Sequence, residues 1–222
     1  MENGGTKLDQ ERKTSKGEKP EKENGSFIRE AWGFIKVFVI TAAVILLFVN
    51  IVAHPVTVVG DSMYPNLQNG EYGFTNLIGL RFGSPARGDV VVVTMEDDVN
   101  GDGKQETTHW VKRVIGLPGD TVEARDGTVY INGEALDESA WLNPDSQQEI
   151  LDEIQKVYGR EYGPFTSDFG PVTLQEDQYW VMGDNRPHSK DSRDPSVGPV
   201  SREQIYGDGV LILYPFSKIG GH

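Results

Sequence analysis

Few side chains in this 222-residue sequence have the chemistry of a nucleophile or of the group that activates one, and they fall in three short stretches. The first is GDSMYPNL, residues 60–67, in which Ser62 stands among Gly60, Asp61, Met63 and Pro65. A serine hydroxyl attacks a carbonyl only when a neighbouring base takes its proton. Gly-Asp-Ser and Tyr-Pro are also ordinary turn chemistry, so the stretch alone reads equally as a tight turn. Cysteine is absent, which excludes a thiol nucleophile, a zinc–thiolate site and a disulfide framework.

Candidate bases are few. The chain has 4 histidines, His54, His109, His188 and His222. A lysine does the same work when burial disfavours its charged form. In HWVKRV, residues 109–114, strand alternation puts Trp110, Lys112 and Val114 on one face and Val111 and Arg113 on the other. Between an indole and a valine, Lys112 can be stripped of water; a strand lysine that buries only its stem fits the same pattern. The third stretch is GDNRPHSKDSR, residues 183–193, which gathers Asp184, Asn185, Arg186, Ser189, Asp191, Ser192 and Arg193. Loops this polar usually lie at the surface. An Asp191–Arg193 bridge would fix its shape without any chemistry.

The elements that must position these residues read as β. GDVVVVTME (88–96) is a valine run bounded by turn residues, and HWVKRVIG (109–116) is a second strand. Asp126-Gly127 lies between two strand-like segments, a strong hairpin signal, and Asn132-Gly133 marks another turn. QYWVMGDN (178–185) and GDGVLILYPF (207–216) supply further strands. One helix is expected over 143–159, with Ile150, Ile154 and Val157 at helical spacing, Asp145 or Ser146 as N-cap and Gly159 as stop. Many short strands with a single helix predict a mostly-β domain, a folded barrel or sandwich.

Ahead of this domain lie a tail and an apolar run. Residues 1–30 form a tail whose first 26 residues mix charges of both signs with Gly, Ser and Pro; such a stretch buries too little to order itself. Ala31–Ala53 is apolar all round and, as a helix, about 34 Å long, enough for a bilayer core of about 30 Å. Its length exceeds the apolar core of a secretory leader, and it ends in a poor small-x-small site, so it reads as a retained anchor. Lys13, Lys16, Lys19, Lys22, Arg29 and Lys36 precede or open the run, and no Lys or Arg follows until Arg81. That asymmetry places the tail in the cytoplasm and residues 54–222 outside. Residues 1–36 carry 8 basic and 7 acidic side chains, so the acidity behind the net charge of -13 lies in residues 37–222. An acidic outer domain argues against a nucleic-acid partner.

Taken together, GDSMYPNL, GDVVVV, KRVIGLPGD and GDNRPHSKDSR, in that order behind an N-terminal anchor, closely resemble bacterial signal peptidase I. The boxes extend over residues 60–193. The resemblance implies an antiparallel β domain of the kind shared with the self-cleaving repressor peptidases, with 130–177 as a small inserted cap. It implies a serine endopeptidase that cuts exported preproteins after small-x-small sites, with no cofactor or metal. The lipid bilayer and secretion machinery would be its surroundings. By position, Ser62 matches the nucleophile and Lys112 the general base. Ser189 matches the serine that orients that lysine, Asp191 and Arg193 the pair that shapes the loop beneath it, and Arg113 and Asp184 a structural salt bridge. Met63 and Pro65 match residues of the turn and cleft. One departure stands out: some members carry a serine two residues before the nucleophile to help hold the oxyanion, and here that position is Gly60, next to Asp61.

Two signals fall outside this pattern. DVNGDG, Asp98–Gly103, fits the first half of a calcium loop, but its twelfth position is His109 rather than Glu and its flanks read as strands, which favours a polar turn. His188 next to Ser189 invites a Ser–His arrangement, but its family position is variable and a surface histidine is expected. Two other function classes compete: a peptidase of the same family with one dedicated substrate, and a non-catalytic membrane-anchored binding module.

Overall fold

The computed structural model describes residues 23–97, 101, 103–159 and 163–221. The tail before Glu23, most of the Asp98–Gly103 loop and His222 lie outside them. The first described element is helix α1, Glu23–Ile51, of which Phe27–Ile51 is 25 residues long and includes an 18-residue stretch with a mean hydropathy of 2.6, long and apolar enough to cross a bilayer. The helix stops at Ile51 rather than at Ala53, which already opens strand β1, Ala53–Thr57. Pro55 explains the stop: proline cannot continue a helix, and it biases His54 toward extended backbone. Contacts divide the chain within α1, with the part up to Ile45 forming one unit and Leu46 onward a second.

The second unit is built on two antiparallel sheets. After β1 come β2 (Tyr72–Asn76), the short helix α2 (Gly79–Phe82), β3 (Val90–Asp97) and β4 (Glu106–Gly116). Next are β5 (Thr121–Arg125), β6 (Thr128–Ile131) and β7 (Glu134–Ala135), then helix α3 (Pro144–Tyr158) and β8 (Phe169–Thr173). The chain finishes with β9 (Gln178–Met182), β10 (Val200–Ser201), β11 (Ile205–Tyr214) and β12 (Gly220–Gly221). The large sheet runs β1-β2-β11-β3-β4-β9-β10, with β12 beside β11; the small one runs β7-β6-β5-β8. Both expected turns are present: φ is positive at Asp126 (51°) and Gly127 (81°), and at Asn132 (54°) and Gly133 (84°), the backbone of a tight primed hairpin.

Three apolar clusters hold the sheets. Valines of β3 alternate sides: Val90 and Val92 pack with Met63, Leu67, Val210 and Ile212, while Val91 and Val93 pack with Val114, Tyr179, Val181 and Ile205. The first group seats the turn that carries Ser62 on the sheet. Ile115, Val122, Trp180 and Met182 join the large sheet to the small one. Helix α3 differs from the sequence expectation at two points. Its N-cap is Asn143, whose Oδ1 accepts the Ser146 N–H at 2.9 Å, because Pro144 suits the first helical position and has no N–H to satisfy. Ile150 and Ile154 are buried, but Val157 is 60 % exposed and faces an open groove. Gly159 ends the helix as expected, at a φ of 66°.

Candidate active site

Ser62 sits in a turn closed by Tyr64 N–H to Asp61 O at 3.1 Å and Leu67 N–H to Met63 O at 2.9 Å. Met63 and Leu67 anchor this turn because both are fully buried in the apolar cluster beneath it, while Ser62 stays half-buried and Asp61 exposed. Gly60 leads in with a φ of 85°, and its N–H donates to Asn69 Oδ1 at 3.1 Å. A serine there would have to adopt a left-handed backbone, so this chain's entry into the turn suits glycine. Tyr64-Pro65 is a cis peptide. The far side of the turn is clamped by Asn185, whose N–H donates to Ser62 O and whose Nδ2 donates to Asp61 O, both at 3.0 Å.

Lys112 reaches the serine from the middle of β4, where it is paired with Val91 of β3. Its Nζ lies 2.7 Å from Ser62 Oγ. Only 4 % of the residue is exposed, and Nζ lies 5.6 Å from the centre of the Trp110 ring, the neighbour two residues back on the same strand face. Burial pushes the Lys112 ammonium down from its ordinary 10.5 to about 8; the Asp191 and Asp184 carboxylates oppose that fall and the Arg193 guanidinium assists it.

The loop after β9 supplies the floor. Asp191 is buried, takes the Gly183 N–H at 2.9 Å, and is gripped by Arg193 through Nε at 2.8 Å and Nη2 at 2.9 Å. Burial alone would raise the Asp191 carboxyl, but the hydrogen bonds and charge of Arg193, with the Gly183 N–H, hold it below its ordinary value. Gly183 is where the loop and the nucleophile turn come closest: a Cβ on it would stand 2.3 Å from Ser189 Oγ and 2.4 Å from Ser62 O. Ser189 Oγ is buried against this glycine and has no hydrogen-bond partner of good geometry, and Lys112 Nζ bonds Ser62 instead. Arg113, on the opposite face of β4 from Lys112, makes a two-pronged pair with Asp184 at 2.8 and 2.7 Å, and its Nη1 reaches Gly88 O at 2.6 Å.

The structure thus gathers Ser62, Lys112, Ser189, Asp191 and Arg193 around one point, with Arg113–Asp184 bracing the strand and loop behind it. His188 is exposed and stacks on Tyr158, with 5.7 Å between ring centres. His54 and His109 both pack on Tyr206. Among the described residues no cluster of His, Cys, Asp and Glu could hold a metal ion. Sequence reasoning gave no role to Arg186, which is wholly buried, donates to Gly183 O at 2.9 Å and pairs with Glu138. It also missed Asn66, whose Nδ2 joins Asp184 (2.8 Å) to Trp141 O (2.7 Å), and the Asn185 clamp. Arg186 and Asn185 lie inside the polar stretch already singled out; Asn66 and Glu138 carry no signal of their own.

Comparison with known proteins identifies the family. The family profile described as "Signal peptidase, peptidase S26" matches residues 31–214, which include every residue of the site. Signal peptidase I S of Bacillus subtilis (strain 168) is 39% identical over 197 residues, covering 89% of this chain and 96% of its own length. Signal peptidase I of Bacillus licheniformis is 36% identical over 186 residues, covering 84% and 90%. Signal peptidase I T of Bacillus subtilis (strain 168) is 32% identical over 212 residues, covering 96% and 98%.

Proposed function

The chain belongs to the signal peptidase family, peptidase S26, and on that premise we propose that it is a membrane-anchored serine endopeptidase that removes signal peptides from exported preproteins. The observation that carries the mechanism is the 2.7 Å contact between Ser62 Oγ and a buried lysine poised near pH 8. As an ammonium, Lys112 donates to the hydroxyl; once neutral, its lone pair accepts the Oγ proton as the oxygen attacks the scissile carbonyl. The developing oxyanion takes backbone N–H donors, foremost that of Ser62, for which no protein acceptor is present among the described residues. Lys112 then passes its proton to the leaving amine. A water activated by the same neutral lysine hydrolyses the acyl-enzyme, so one group serves as base and acid in turn.

The positioning residues act through Lys112 and Ser62. Asp191 and Arg193 set the charge beneath the lysine, and Gly183, close to both Ser62 O and Ser189, holds the loop at its working distance. The topology belongs to the same proposal: a cytoplasmic tail (1–30), one spanning helix in the lipid bilayer and an extracytoplasmic peptidase domain (54–222), beside the secretion machinery that delivers substrates. The lysine asymmetry about α1 supports that orientation. Cleavage after a small-x-small site completes it.

The test is cleavage of a purified preprotein by the full chain in detergent micelles or lipid vesicles. The wild type should cut once, after the small-x-small site, and Ser62→Ala and Lys112→Ala should be folded and inactive. Processing by either variant at the wild-type rate would rule the mechanism out.

A further inference from the structure

A groove of about 290 Å³ opens beside the nucleophile turn, between it and helix α3. Its floor is apolar, made by Ile150, Ile154 and the exposed Val157. Two carboxylates border it: Asp61, adjacent to Ser62, and Glu153 on α3. The stacked rings of Tyr158 and His188 close one wall. Tyr64 ties the two sides together, since its hydroxyl donates to Glu149 Oε1 at 2.5 Å. That bond comes first, then burial and the charges of Glu149 and Glu153, in pushing the Tyr64 hydroxyl up to about 12, so the negative field of α3 reaches the turn itself.

We infer that this groove receives the segment of the substrate beyond the scissile bond and selects a long cationic side chain, Lys or Arg, near the start of the mature protein. The inference rests on the preprotein-cleaving reading above. An apolar floor with carboxylates at its rim matches a side chain whose stem is hydrocarbon and whose tip is positive. The small side chains that the proposed cleavage rule puts ahead of the cut would leave a groove of this size mostly filled with water and bring no cation to its carboxylates. Glu153 already lies 3.4 Å from Lys156, but both are exposed, and such a surface pair contributes little. A substrate cation can therefore displace Lys156 at small cost.

The experiment uses the full chain in micelles and preproteins that differ only by Lys, Gln or Glu at each of the first five positions after the cut. At one of these positions Lys should exceed Glu in kcat/KM by roughly fivefold to tenfold, attraction and repulsion each contributing on the order of an exposed ion pair. In Glu153→Arg, a surface substitution, that preference should invert. Equal rates for Lys and Glu at all five positions, or a preference unchanged by Glu153→Arg, would overturn the inference and leave the peptidase reading intact. A charge preference found only ahead of the cut would overturn it too. Failure to cut any of the substrates would instead remove the peptidase reading, and this inference with it.

Discussion

Replacing Lys112 by Met should make the protein more stable while abolishing cleavage. The folded chain holds this lysine near 8 against an ordinary 10.5 because 4 % exposure leaves its ammonium almost without water. A fall of that size corresponds to about 3 kcal/mol of unfavourable free energy wherever the lysine is charged in the folded state. The 2.7 Å contact with Ser62 Oγ offsets about 1 kcal/mol of it, so the methionine variant should gain about 2 kcal/mol. The gain must depend on pH in a defined sense. Below pH 8 both folded and unfolded wild type carry the proton, and the whole cost is present. Between pH 8 and 10.5 the unfolded chain still binds a proton that the folded chain has released, so wild-type stability climbs with pH and the advantage of methionine shrinks. Thermal unfolding of both proteins in the same micelles, followed by near-ultraviolet circular dichroism at about pH 6.5, 8 and 10, reads this directly. A variant that gains equally at the lowest and highest pH, or is less stable than wild type at the lowest, would refute the claim that Lys112 is a desolvated cation.

For the same reason kcat/KM should rise tenfold per pH unit and level off above about pH 8, falling to about one hundredth of the plateau at pH 6. A profile governed by a group near 6.5 would point to a histidine instead. Gly183→Ala should cut kcat on the order of 100-fold, because a Cβ placed 2.4 Å from Ser62 O must push the nucleophile turn away; a variant with wild-type turnover would show that the loop yields freely. Asp184→Ala should lower stability by about 3–5 kcal/mol by leaving the buried Arg113 unpaired, and adding Arg113→Met should recover much of that loss in chemical denaturation. A double variant as unstable as the sum of the single ones would contradict the pairing.

Legibility in the sequence depends on which features are local. Ser62 and Lys112 are marked as candidates by turn chemistry and strand alternation, which are written in a few adjacent residues, but their roles rest on the resemblance carried by the four ordered boxes. The valine run of β3 and the Asp126-Gly127 turn are of the same kind. β1 carries no signal beyond Pro55: its first residue, Ala53, reads as the end of the apolar run, and His54–Thr57 are too short to declare a strand on their own. β2 and β8 carry weak alternation and owe their pairing to β11 and β5, far away in the chain. The N-cap of α3 was misplaced by two or three residues, since Asp145 and Ser146 are as capable of capping as Asn143 until Pro144 is recognised as the first helical residue. Buried polar groups such as Arg186 with Glu138, or Asn66 with Asp184, answer to one another only after folding, and no spacing rule links them.

The position of β11 has a consequence for how the enzyme comes into being. This strand lies between β2 and β3, so it is the seam that joins the β1–β2 hairpin to the β3–β4 hairpin. The chain segment between β1 and β2 bears the nucleophile and β4 bears its base, yet the strand that brings them into one sheet is made long after both. The Asn185 clamp and the Asp191–Arg193 floor also come late in synthesis. The nucleophile and its base therefore share one sheet only through a strand that follows both in the chain, so the site depends on pairing across the whole domain rather than on either hairpin alone.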